Sequence, residues 1–247
     1  MAVDLHGRTA LVTGAAKRLG RCTALALGRA GADVVVHYGA SEDAARATVR
    51  DLASLGVRAW AVAADLRREA EVVRLVEEAR RLAGPLHILV NGASIFPPSE
   101  FATFTRAELD ECIGVNAWAP LTAARRFVEQ GESGHIVNFL DTRAFGFDWA
   151  HVAYHASKTL FELFTREMAI RFAPRFQVNA VAPGLVLAPE AEGPEYLERL
   201  RHTVPLLRTG EPEEVADAVL FLLGTRFVTG QVLFVDGGRR LLEAGRG

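Results

Sequence analysis

The stretch RTALVTGAAKRLGRCTALALGRAGADVVVHY, residues 8–38, decides the fold. RTALVTG is an apolar run of strand length that ends at Gly14. LGRCTALALGRAGA reads as a helix closed by Gly31, and DVVVHY is a second strand. Strand, helix and strand in that order make a unit of parallel sheet. The joining loop, TGAAKRLG (13–20), places Gly14 and Gly20 at a tight turn and a helix start. Free N–H groups and the helix dipole favour a pyrophosphate there. A strict G-x-G-x-x-G would need one more glycine where Arg18 stands, so an ordinary strand–helix turn is the other reading.

The rest of the chain repeats the unit. Strands are predicted over 58–65, 86–93, 134–141, 176–184 and 231–238, and helices over 41–55, 67–82, 106–130, 151–173 and 212–223. Alternation of this kind implies an α/β fold, a Rossmann-type doubly wound parallel sheet with helices on both faces. With no repeat, linker or break in pattern, one domain over 1–247 is expected. The irregular stretches 92–105, 142–150 and 184–210 follow strand ends, the sheet edge where such folds bind ligands.

Composition narrows the classes. A net charge of -2 gives no electrostatic case for nucleic acid or an anionic membrane. No run reaches the roughly 18 apolar residues of a membrane span, and the N-terminus lacks the basic start of a signal peptide. Cys22 and Cys112 have no metal spacing around them, so no metal site is expected and a reduced, cytoplasmic protein is. Of 28 basic residues only Lys17 and Lys158 are lysines. In a chain so biased to arginine, those two mark places where an ammonium is hard to replace.

The cofactor's ribose is read at the end of the second strand, where an NAD enzyme carries an acid. Here the strand ends in His37 and Tyr38, with no acid before Glu42. Lys17, Arg18 and His37 would attract a 2′-phosphate, which favours NADP(H); His37 could equally be a surface residue at a strand end. Asp65 could meet the adenine or cap the next helix.

Tyr154 and Lys158, at i and i+4, share a helical face, where an ammonium would lower the phenol's pKa. Asp141 stands thirteen residues before Tyr154. A carboxylate suits ketone reduction poorly, because negative charge builds on the carbonyl oxygen. It suits reduction of a C=N bond, whose nitrogen gains a proton. Alternatively, Asp141 is held by Arg143 or a backbone N–H and never meets substrate.

Taken together, TGAAKRLG, AAD (63–65), NGAS (91–94), Asn116 in VNAW, YHASK, VNAVAPG and TGQVLFVDGG resemble the short-chain dehydrogenase/reductase family along the whole chain. The resemblance implies that Tyr154 donates the proton, that Lys158 holds the ribose and tunes Tyr154, and that Asn116 keeps a water-linked proton path. It places Gly14, Leu19, Gly20, Tyr38, Leu66, Asn91, Ala93, Ser94, Pro183 and Gly184 on the cofactor, and implies a homotetramer built on the helices of 106–130 and 151–173.

The Arg-containing loop, HY after the second strand, Asp141 and the aromatic of NGASIF are similar to the pteridine and dihydromonapterin reductases. That branch implies that Phe96 covers a pterin by stacking, with Arg18 and Ser94 touching both ligands and Leu185 and Val186 lining the wall or simply sitting in the core. Ala40 and Gly92 depart from the branch. The sequence therefore predicts an NADPH-dependent reductase of a dihydropterin. The alternatives are a short-chain carbonyl reductase and a non-catalytic NADP(H)-sensing protein.

Overall fold

The computed structural model describes residues 3–130, 133–189, 192–193 and 195–244. Seven strands form one parallel sheet: β1 (Thr9–Thr13), β2 (Asp33–Tyr38), β3 (Ala59–Ala63), β4 (Ile88–Asn91), β5 (Gly134–Phe139), β6 (Phe176–Pro183) and β7 (Val232–Val235). Their order is β3-β2-β1-β4-β5-β6-β7, so the winding reverses between β1 and β4. Both partners of β1 are in register with it, Leu11 lying beside Val35 on one side and Leu89 on the other. Short apolar runs without strict alternation form these strands because helices cover both faces.

On one face lie α1 (Arg18–Arg29), α2 (Glu42–Ser54) and α8 (Pro212–Leu223), with Leu27, Leu52 and Leu222 buried against the sheet. On the other lie α3 (Glu69–Ala83), α4 (Arg106–Ile113), α5 (Ala119–Val128) and α6 (Val152–Arg171), where Leu75, Phe127 and Phe161 share a core with Phe176 of β6. α4 starts on a reciprocal cap, in which Thr105 Oγ1 accepts from the Glu108 N–H and the Glu108 carboxylate accepts from the Thr105 N–H.

The helix predicted over 106–130 is interrupted. Gly114–Trp118 form a π-helical turn, and the Ala119 N–H reaches back five residues to the Gly114 carbonyl. Pro120 accounts for the break: its ring clashes with the carbonyl four residues earlier, that of Asn116, and it has no N–H to offer. Two short helices fall where the sequence indicated none, α7 (Glu195–Leu200) and α9 (Arg239–Ala244). Among the described residues no helix is long and apolar enough to cross a membrane.

Candidate active site

All strand C-termini share one edge of the sheet, and the loops there form the site. Gly14 has φ +69°, and a Cβ on it would stand 2.9 Å from Ala93 Cα. A Cβ on Gly20 would land on the Gly14 carbonyl. The loop thus packs backbone on backbone. No acid or side-chain cap occupies the first turn of α1, whose N–H groups are left for an anion. This is the cradle that a dinucleotide pyrophosphate fits. Thr13 Oγ1 accepts from the N–H groups of Gly92 (3.0 Å) and Ala93 (3.2 Å), tying the loops after β1 and β4 together at the reversal point.

The charge expected of His37 is not there. The ring is buried, with Nδ1 accepting from the Gly14 N–H at 3.1 Å and Nε2 facing the Ala64 carbonyl at 3.1 Å. Burial pushes its pKa down to about 4, so it is a neutral brace beneath the phosphate loop. It is neither a cation for the 2′-phosphate nor a surface residue. Lys17 and Arg18 are exposed and keep that possibility. Arg18 adopts φ +55°, and its guanidinium donates to the Ala188 carbonyl at 2.5 Å, spanning from the phosphate loop to the segment after β6.

The remaining cofactor positions lie on the same edge. Asp65 Oδ1 accepts from the Arg67 N–H at 3.0 Å in the turn before α3; it does not cap that helix, whose N-cap is Arg68. Leu19 and Tyr38 pack on one core layer and Leu66 on the other. Asn91 is buried and donates to Asn138 at 2.9 Å. Pro183 ends β6, and Gly184 donates to the Val235 carbonyl at 3.0 Å.

Asp141 and Tyr154 meet. Tyr154 Oη donates to Asp141 Oδ2 at 2.8 Å, while Asp141 Oδ1 accepts from the Arg143 N–H at 2.8 Å. One carboxylate oxygen is thus held by a backbone N–H and the other by the phenol of Tyr154. Lys158 lies one turn along α6, its Nζ donating to the Phe139 carbonyl at 2.8 Å and standing 5.7 Å from the centre of the Tyr154 ring. Burial lowers its pKa to about 8. The expectation that Lys158 lowers the phenol's pKa is reversed: burial first, then the Asp141 charge, raise Tyr154 well above its ordinary value. The phenol is held as a proton donor.

Asn116, in the π turn, is fully buried and saturated. Its Oδ1 accepts from Ile95 N–H (2.8 Å) and Ser94 Oγ (3.0 Å), and its Nδ2 donates to the Ile95 carbonyl and Ser157 Oγ, both at 3.0 Å. Four bonds fill an amide's capacity. The side chain braces the β4 loop against α6, so it is the Asn116 main-chain carbonyl, denied an i+4 donor by Pro120, that is left for the expected water path.

Phe96 is not an open shelf. His151 stacks on its ring (centroids 4.0 Å apart, 17° between planes), the edge of Tyr154 meets it at 4.6 Å, and the Arg143 guanidinium lies over it at 4.8 Å. The alternative of an aromatic packed on its own domain is realised on that face. Leu185 and Val186 are buried, Val186 within a core layer, so the simpler reading of that pair holds.

Arg143, Asp148 and His151 received no substrate role from the sequence. Arg143 bonds Asp148 at 2.7 Å and reaches Tyr196 Oη of α7 at 3.4 Å, while Asp148 also accepts from the N–H groups of Ala150 and His151. Burial opposes the charge on Arg143, but Asp141 and Asp148 outweigh it and hold its pKa above the ordinary value. The available signal was three ionisable groups within nine residues of irregular chain beyond a strand end.

A phosphate cradle at the reversal point and a Tyr–Lys pair on the helix after β5 define a nucleotide-dependent oxidoreductase of the doubly wound class. The chain belongs to the short-chain dehydrogenase/reductase family: residues 14–240 match the family model described as enoyl-(acyl carrier protein) reductase. Similar proteins include the 3-oxoacyl-[acyl-carrier-protein] reductase of Aquifex aeolicus (33% identical over 96% of this chain and 99% of the relative). Another is 3beta-hydroxysteroid dehydrogenase 1 of Eggerthella lenta (35%, over 96% and 95%). Among solved structures, alternative dihydrofolate reductase 1 (FolM) of Brucella canis, complexed with NADP, superposes with a TM-score of 0.91 at 33% identity, covering 96% of this chain and 95% of that one. The angucycline C-6 ketoreductase LanV with bound NADP gives 0.90 at 32% identity, covering 98% of each.

Proposed function

We propose that this protein is an NADPH-dependent reductase of a dihydropterin, yielding the tetrahydropterin. The observation that carries the reading is the 2.8 Å bond from Tyr154 Oη to Asp141 Oδ2. In that place a carboxylate cannot donate to a carbonyl oxygen. At about 4 Å and an effective dielectric near 20, it would oppose a developing oxyanion by about 4 kcal/mol. That is a factor of roughly a thousand in rate. The sign reverses when a ring nitrogen gains a proton.

NADPH, when bound, supplies the hydride to the C=N carbon. Gly14, Gly20 and the α1 N-terminus would hold its phosphates, Lys17 and Arg18 its 2′-phosphate, and Lys158 its ribose. Tyr154, kept neutral by burial and Asp141, hands its proton toward the ring nitrogen, and Asp141 stabilises the positive character that develops. The likeness to the Brucella dihydrofolate reductase supports this reading. The ketoreductases among the similar proteins support the second, carbonyl reduction with Asp141 only positioning substrate. A homotetramer belongs to the same proposal, since Leu163 and Ile170 of α6 and Trp118 of the π turn leave apolar surface exposed.

Asp141→Ser separates the two readings. It should lose dihydropterin reduction by a hundredfold or more, as the ~4 kcal/mol estimate allows. It should also gain ketone turnover and keep its affinity for NADPH. Unchanged pterin turnover would remove the role given to the acid.

A further inference from the structure

Arg143 is the group at the cleft that the proton-transfer scheme does not use. Its side chain is 27% exposed, and its guanidinium is fixed on three sides by Asp148 at 2.7 Å, Tyr196 Oη at 3.4 Å and the Phe96 ring at 4.8 Å. A guanidinium carries five N–H donors. One goes to Asp148 and one to Tyr196, and among the described residues the others have no partner. Asp148 does not cancel the cation fully, because its two oxygens also serve the N–H groups of Ala150 and His151 and the His151 ring. The backbone N–H of Arg143 meanwhile holds Asp141. A planar cation with spare donors, held beside the catalytic pair, matches a carboxylate or phosphate better than an alkyl or neutral tail.

We propose that Arg143 is a specificity-determining residue, which receives an anionic oxygen group on the substrate's tail. The first substrate pair used to test this rests on the proposed pterin activity; the role of Arg143 does not. The test is kcat/KM for dihydrofolate, whose tail ends in carboxylates, against dihydrobiopterin, whose tail is neutral. It is run on the wild type, Arg143→Met and Arg143→Lys, with NADPH binding and thermal unfolding measured on each.

The wild type should favour dihydrofolate by about tenfold or more, mainly through KM, the scale of one charge-assisted contact in a partly exposed site. Arg143→Met should erase that ratio whatever its absolute rates, and Arg143→Lys should keep part of it. A ratio unchanged in Arg143→Met, or no preference in the wild type, overturns the proposal. If Arg143→Met does not fold, Arg143→Gln, which can still bond Asp148, reads the same ratio. A wild type that turns over neither pterin defeats the proposed function instead. The same comparison is then read on a 3-oxo acid and its methyl ester, with the same expected and overturning results.

Discussion

Replacing His37 by leucine tests the assignment of this residue as a neutral brace. The substitution strips the Gly14 N–H and the Ala64 carbonyl of their buried partner. Each orphaned group costs about 1–3 kcal/mol, so the loss is about 2–6 kcal/mol. For a chain of this length that lowers Tm by roughly 8–16 °C at the middle of the range. The wild type carries a pH signature of its own. Its folded pKa of about 4 lies below the unfolded value of 6.5, so the unfolded chain takes up a proton that the folded one refuses. Stability from this group is complete above pH 6.5 and declines as pH falls toward 4, by about 3 kcal/mol in all. Denaturant unfolding at steps from pH 7.5 to 4.5 should show this component in the wild type and lack it in His37→Leu. NADPH affinity should fall equally at every pH in the variant, because the phosphate loop loses its support. A wild-type affinity that weakens as pH rises through 6.5, with the slope abolished in His37→Leu, would refute the reasoning and restore His37 as a cation for the 2′-phosphate.

Two further outcomes follow from the site. The Tyr154 pKa is raised and that of Lys158 lowered to about 8, so the alkaline limb of the reductive rate belongs to Lys158. The pH profile of kcat/KM should fall with a midpoint near 8, and a flat profile to pH 10 would contradict this. Gly20→Ala puts a methyl on the Gly14 carbonyl and should weaken NADPH binding at least tenfold, a loss of about 1.4 kcal/mol. Gly224→Ala meets only ordinary contacts at 3.5 Å and serves as the binding control, read by fluorescence titration.

The sheet was legible because buried parallel strands are apolar runs cut off by glycine, as in RTALVTG and FQVNAVAPG. The Tyr154–Asp141 contact was legible because both residues carry unusual chemistry at the same sheet edge. His37 was misread because sequence does not reveal what roofs a strand end. β2 lies between β1 and β3, and the β1–α1 loop closes over the ring. Phe96 and His151 are 55 residues apart and meet because Ser99 bridges to His151 at the foot of their loops. No local pattern encodes that stack. The π turn at Asn116 carried a readable signal that the continuous helix over 106–130 ignored: Pro120, mid-pattern, has no N–H for the Asn116 carbonyl.

The central claim is the choice of a C=N over a C=O bond, and NADPH oxidation by the purified protein tests it most directly. Dihydromonapterin, dihydrobiopterin and dihydrofolate are compared with a panel of ketones and ketoacyl thioesters at equal concentration. The account predicts kcat/KM for at least one dihydropterin well above every carbonyl compound. Carbonyl turnover without pterin turnover would contradict it, leaving the fold, the phosphate cradle and the Tyr154–Lys158 pair in place and reducing Asp141 to a positioning residue.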